Sequence, residues 1–212
     1  YDLMHAAGTM PLPPYIKREP STDDQQWYQT MFAREEGAIA APTAGLHFTR
    51  ELVEALTAKG IELAQVTLHV GPGTFRSVKS DSIEDHRMLA EQVDVSEAAV
   101  EQIRRVRARG NRVVAVGTTV VRALETAARG GQGIQPFQGP AELFITPGFE
   151  FQVIDGLVTN FHLPRTTLLM LVSALVGVES LRAAYAEAVA QRYRFYSYGD
   201  AMLIGTGVAV AT

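Results

Sequence analysis

Residues 112–128 constrain the fold more than any other stretch. The β-branched run RVVAV (112–116) leads straight into Gly117 and then into a helical pattern over 121–128, closed by Gly130 and Gly131. A short buried strand, a tight turn and a helix form half of a crossover unit, and such units build sheets covered by helices. The alternation recurs along the chain. Leu52, Val53 and Leu56 share one helical face over 50–59, with Gly60 at the C-terminal cap position. Ala64, Val66, Leu68 and Val70 alternate with Gln65, Thr67 and His69, which marks a strand ending at Gly71 and turns His69 away from the aliphatic row. Ser96 caps a helix that carries Val100, Ile103 and Val106 and ends at Gly110. Residues 143–145, 151–154 and 157–161 read as three further strands, followed by helices over 167–176 and 180–193. The expectation is an α/β fold with a largely parallel sheet and helices on both faces. Sheets of that kind bind ligands outside the carboxyl ends of their strands.

Composition narrows the classes of function. With 212 residues and 47% hydrophobic content the chain can fill an ordinary core. Its longest apolar candidate, 168–178, is interrupted by Ser173 and Gly177 and is too short to span a bilayer. The first residues, with Asp2 and His5, lack the basic-then-apolar order of a secretory signal and look like an internal cut. The absence of cysteine removes disulfide frameworks, thiolate nucleophiles and cysteine zinc sites, and fits a reducing, cytoplasmic setting. A net charge of −4 argues against non-specific coating of nucleic acid. The local basic clusters (Lys17 and Arg18; Arg76 and Lys79; Arg104, Arg105, Arg107, Arg109 and Arg112; Arg192 and Arg194) read first as solvated faces. Residues 10–15 (MPLPPY) are extended and connector-like, whereas 37–45 (GAIAAPTAG) allow close backbone approach to a ligand or a neighbour.

Chemistry concentrates at element boundaries. Four histidines sit in polar contexts there: His47 in APTAGLHF, His69 in TLHVGPGTF, His86 in EDHRM and His162 in TNFHLP. Histidine suits proton transfer near neutral pH, and each of these also suits a structural hydrogen bond. No pair shows HxH or HExxH spacing, so a metal site is not expected. Gly71, Gly73 and Thr74 of GPGTF offer backbone amides for a carboxylate or a ribose, without the GxGxxG spacing of a dinucleotide site. In GTTVVR, Thr118 and Thr119 open a helix after a buried strand, where free amides and the positive dipole end suit an anionic or carbonyl group. The alternative is that these hydroxyls only cap the helix, with Arg122 a surface residue. YRFYSYGD (193–200) interleaves four aromatics with Arg194 and Asp200, a pattern that can stack a nucleobase or give a strand a core face.

Taken together, MPLPPYIKR, YQTMFA, GAIAAPTAGLHFT, VTLHVGPGTF, IEDHRM, VVAVGTTVVRALE, FITPGF, LVTNFHLPRTTLLMLVSAL and YRFYSYGDAMLI resemble the S-adenosylmethionine:tRNA ribosyltransferase-isomerase family of queuosine biosynthesis. The blocks stand in that family's order and cover nearly the whole chain. The resemblance implies that residues 1–20 connect to an absent N-terminal and β-barrel region, and that 21–212 are the C-terminal portion of the catalytic α/β domain. It implies transfer and isomerisation of the ribosyl part of S-adenosylmethionine onto 7-aminomethyl-7-deazaguanine at the tRNA wobble position. Epoxyqueuosine-tRNA, adenine and methionine are then the products, with no metal or cofactor beyond the co-substrate. The implied partners are S-adenosylmethionine and that tRNA, with no membrane; a monomer is expected.

On the same footing His47, His69, His86 and His162 form the pool of catalytic groups. Thr43, Gly71, Gly73, Thr74, Thr118, Thr119, Arg122, Tyr198 and Asp200 are the substrate-binding set, and Glu91 is a second carboxylate candidate. Within that set Thr118, Thr119 and Arg122 would hold the methionine carboxylate or ribose, and Tyr198 and Asp200 the nucleobase or sugar. Two departures stand out: the family usually has serine at Val120 and a second histidine at Leu89. Retained function is expected. The rival readings are a diverged paralogue that binds tRNA or a nucleoside without turnover, and a metal-dependent hydrolase.

Overall fold

The computed structural model describes Gly8 and residues 11–13, 15–71 and 88–205. The N-terminal part carries a short helix α1 (Asp24–Trp27), a 3-10 turn (Thr43–His47), helix α2 (Arg50–Ala58) and strand β1 (Thr67–His69). Strand β2 (Glu91–Val95), helix α3 (Glu97–Ala108), strand β3 (Val114–Val116) and helix α4 (Thr118–Ala127) follow. The C-terminal part comprises β4 (Phe137–Ala141), β5 (Gly156–Asn160), α5 (Thr167–Val176), α6 (Val178–Ala190) and β6 (Ala201–Gly205). Helix starts obey local chemistry: Thr49, Ser96 and Thr166 each accept a hydrogen bond from the backbone amide three residues on, as N-cap side chains do. Among the described residues no single helix is long and apolar enough to cross a membrane, and α5 and α6 are bent by 113° at their junction.

Two three-stranded sheets form, in the orders β1-β2-β4 and β3-β5-β6. The first is antiparallel throughout. In the second β3 runs parallel to β5, and β6 returns antiparallel. The expectation of a largely parallel sheet is therefore corrected: β3 with β5 is the one parallel pair among the described strands. The physical reason lies in 143–145 and 151–154, whose apolarity suggested strands. Leu143, Ile145, Val153 and Ile154 are indeed buried, but in irregular chain. The amides of Gln152, Val153 and Ile154 donate to the buried Glu125 carboxylate at 2.9, 3.0 and 3.2 Å, so a side chain satisfies what a neighbouring strand would otherwise satisfy. β2 escaped notice because its apolar residues, Val93 and Val95, share their buried face with Glu91. β4 was masked by Pro140, which a strand tolerates at the sheet edge that β4 occupies. Residues 193–200 are loop rather than strand.

Helix α4 packs against strands of both sheets. Val121, Ala123, Leu124 and Ala127 on it are buried, together with Thr118, Thr119, Arg122 and Glu125, so almost every face is enclosed. A helix enclosed on nearly every face belongs inside a protein, and its buried polar groups then need partners there. Its N-terminus points to the end of the second sheet where β3 and β5 finish, and Gly117, at φ +100°, makes the turn. That backbone conformation strains any residue with a Cβ.

Candidate active site

The carboxyl ends of β3 and β5 open into a cleft. Its walls are the 41–44 segment, Val70 at the end of β1, Gly117 to Thr119, the chain from Thr159 to Leu163, the start of α5, and Tyr15, Tyr196 and Ser197. Segments far apart in sequence thus meet where the topology of a parallel strand pair places a ligand. Thr118 and Thr119 present hydroxyls at the helix start. The N-cap is Gly117 with no side-chain cap bond, so neither hydroxyl is occupied in capping. Unbonded first-turn amides and the helix dipole add positive potential at the same spot.

His162 lies on this wall. Its Nε2 is 2.7 Å from the buried Thr159 hydroxyl, and its backbone amide donates to the Tyr185 hydroxyl at 2.7 Å. Burial pushes the imidazole down to about 4, so it is neutral at physiological pH. A neutral ring adds no charge to the cleft wall.

Asn160, the last residue of β5 and 3% exposed, ties three segments together. Its amide nitrogen is 3.0 Å from His47 Nε2 and donates to the Tyr196 carbonyl at 3.2 Å, while its oxygen accepts from the Thr43 hydroxyl at 3.3 Å. His47 itself lines a neighbouring recess with Trp27, Gln29, Arg194 and Tyr198, and Ser197 lines both hollows. Burial pushes the His47 imidazole below its ordinary value; Asp200 opposes this and Arg194 reinforces it. Ser197 is bonded by the hydroxyls of Tyr15 and Tyr28.

The remaining candidates divide. Thr43, Thr118, Thr119 and His162 line the cleft, and Gly71 follows directly on its wall residue Val70. The His69 ring packs on the backbone of Gly37: a Cβ there would come within 2.7 Å of Nδ1. Arg122 is not brought to the cleft. It is 3% exposed and donates to Glu91 at 2.9 Å and to the carbonyls of Leu143 and Ala141 at 3.2 and 2.9 Å, which locks α4 onto the first sheet. Glu91, its partner, is buried with it. Tyr198 donates to the enclosed Asp24 carboxylate at 2.7 Å, and Asp200 pairs with Arg194 at 2.7 Å, each on the recess side. The Arg18 guanidinium holds Asp24 well below the usual carboxylate range. His86, Gly73 and Thr74 lie outside the described residues. Among the described residues no three His, Asp or Glu side chains gather as a metal set.

Sequence reasoning passed over Asn160, Thr159 and Ser197. The available signal was the polar pair Thr-Asn ending the apolar strand GLVTN, since buried polar groups at a strand's carboxyl end need a stated partner. Of the two departures, Val120 packs against the core and Leu89 is 52% exposed; neither lines the cleft.

The family of queuosine biosynthesis proteins matches residues 1–204. An S-adenosylmethionine:tRNA ribosyltransferase-isomerase from Stenotrophomonas maltophilia is 57% identical over 202 residues, covering 95% of this chain and 58% of that protein. One from Sphingopyxis alaskensis is 59% identical over 204 residues, again 95% and 58%. The chain thus spans under three fifths of the length of these curated relatives. The crystal structure of the S-adenosylmethionine tRNA ribosyltransferase from Thermotoga maritima aligns with a TM-score of 0.64 at 52% identity, covering 76% of this chain and 51% of that one. On the match across almost its whole length, the chain belongs to the queuosine biosynthesis protein family.

Proposed function

We propose that the chain is the C-terminal portion of the catalytic domain of an S-adenosylmethionine:tRNA ribosyltransferase-isomerase. The reaction moves the ribosyl part of S-adenosylmethionine onto the aminomethyl group of 7-aminomethyl-7-deazaguanine at the tRNA wobble position, and epoxyqueuosine-tRNA, adenine and methionine result. The observation that carries this reading is the convergence of Thr43, Val70, Thr118, Thr119, Asn160 and His162 on one cleft at the strand ends.

The residues divide the labour by chemistry. The free amides and hydroxyls at the start of α4 hold the methionine carboxylate or a ribose hydroxyl. The sulfonium acidifies the C5′ hydrogens, so a positioned proton acceptor begins the sequence that expels adenine. His162 presents a lone pair at every physiological pH, because its proton is lost well below neutrality. The amine attacks as the neutral base and loses a proton; methionine leaves as the C5′–S bond breaks and the sulfonium charge is cancelled. No metal or cofactor beyond the co-substrate enters this scheme. A cytoplasmic monomer with residues 1–20 as connector is part of the same reading.

The test is product analysis with the full-length protein, S-adenosylmethionine and tRNA bearing the 7-aminomethyl base. Stoichiometric adenine and modified tRNA are expected; tRNA binding with no adenine would instead identify a non-catalytic paralogue. The positions of Val120 and Leu89, away from the cleft wall, favour turnover.

A further inference from the structure

We propose that Asn160 is a positioning residue that holds His47 in its Nδ1–H tautomer, so that His47 serves as a hydrogen-bond donor and not as the base that takes a proton from the substrate. The inference deepens the reading of the cleft given above and rests on it for its reaction, though not for its geometry.

The argument begins with an atom that has a single role. The Tyr196 carbonyl oxygen only accepts, and the Asn160 amide end lying 3.2 Å from it must therefore be the NH₂. The opposite end is then the oxygen, in agreement with the Thr43 hydroxyl that donates to it at 3.3 Å. With the amide so oriented, its nitrogen also faces His47 Nε2 at 3.0 Å. An N–H aimed at a ring nitrogen requires a lone pair there. In a neutral imidazole the proton then resides on Nδ1.

His47 is consequently a poor acceptor at both nitrogens. Nδ1 already carries the proton. Protonating Nε2 would set two N–H groups against each other at 3.0 Å. Turning the Asn160 amide round would not relieve this, because its oxygen would then meet the Tyr196 carbonyl. The backbone around that carbonyl is itself tightly held. Tyr196 sits at φ +72°, a left-handed conformation costly for a residue with a Cβ, and its amide donates to the Phe161 carbonyl at 2.9 Å. Asn160 is 3% exposed and the last residue of a hydrogen-bonded strand, so the clamp is anchored at both ends. The charged groups near the ring, Asp200 and Arg194, are paired with each other at 2.7 Å and act on it in opposite directions.

Two measurements decide the matter. In the ligand-free full-length protein, ¹⁵N-edited NMR of the histidine ring nitrogens is expected to show His47 as the Nδ1–H tautomer near neutral pH, the resonance being assigned by its loss in His47→Gln. Asn160→Asp, which offers oxygen to Nε2, should move the proton there and raise the ring's titration by more than about one pH unit. In turnover assays His47→Asn, whose amide N–H stands where Nδ1–H stood, should keep kcat within about tenfold of wild type. His47→Ala, which removes the donated hydrogen bond altogether, should fall well below it, whereas loss of a true general base would cost both variants about 100-fold or more. An Nε2–H ring in the wild type overturns the proposal, and so does a His47→Asn variant as impaired as His47→Ala. If the wild type releases no adenine, the proposed activity fails while the tautomer still decides this inference.

Discussion

Arg122 and His162 looked alike in the sequence, as polar residues beside candidate ligand loops, and their surroundings give them opposite work. The Arg122 guanidinium is enclosed against Glu91 and two carbonyls, and removing one member of a buried pair leaves the other uncompensated. Arg122→Met should therefore cost about 3–5 kcal/mol in urea denaturation, and adding Glu91→Leu should recover at least half of it. A variant that lost S-adenosylmethionine affinity at unchanged stability would instead make Arg122 a ligand group. His162 affects stability through protons. Its ring is pushed down to about 4 in the folded protein, while the unfolded chain protonates near the ordinary 6.5. Between those two values the unfolded state binds the extra proton, so stability is full above about pH 6.5 and declines as the pH falls towards 4, by up to about 1.4 kcal/mol per unit. His162→Gln should flatten that slope in denaturation curves measured across the window. An unchanged slope would show that the ring is not enclosed as described.

At the scale of elements, the strand–turn–helix unit around Gly117 was legible because β-branched residues, a glycine at φ +100° and a helical pattern all agree. The helices over 50–58 and 97–108 were legible as well, the first from Leu52, Val53 and Leu56 on one face with Gly60 behind them and the second from its Ser96 cap. What could not be read was the role of Glu125, since nothing in RALETA says that its carboxylate will accept three backbone amides from residues 152–154. Glu125→Ala should destabilise by more than about 2 kcal/mol and raise amide exchange specifically at 152–154, because buried donors without acceptors are costly. Equal exchange there would remove the explanation given for the missing strand. The arginines of α3 tell a similar story: Arg104 and Arg107 donate to backbone carbonyls of Ile134, Gln152 and Val153, and Arg105 pairs with Glu62. A cluster that reads first as a solvated face also braces α3 against the chain around it. Under the proposed function the first-turn hydroxyls of α4 hold the co-substrate: Thr118→Val with Thr119→Val should raise KM for S-adenosylmethionine about tenfold or more, with the melting temperature little changed. A KM that stayed put would detach the helix start from the co-substrate.

For the whole molecule, the order of the motifs disclosed the family while the arrangement of strands stayed hidden. Family likeness resides in the turns that were quoted, whereas the first sheet depends on β2 and β4, strands whose buried Glu91 and edge Pro140 carry no periodic signal. The cleft followed from the turns, and so Thr43, Thr118, Thr119 and His162 were foreseen; Asn160 was not, because a single asparagine signals nothing until its three partners are seen. One helix, α4, joins the two sheets and also offers its first turn to the cleft. Cargo seated on that turn grips the beam on which both halves of the building hang. Occupancy should accordingly be felt as a single later melting of the entire body, in place of a local stiffening around the guest.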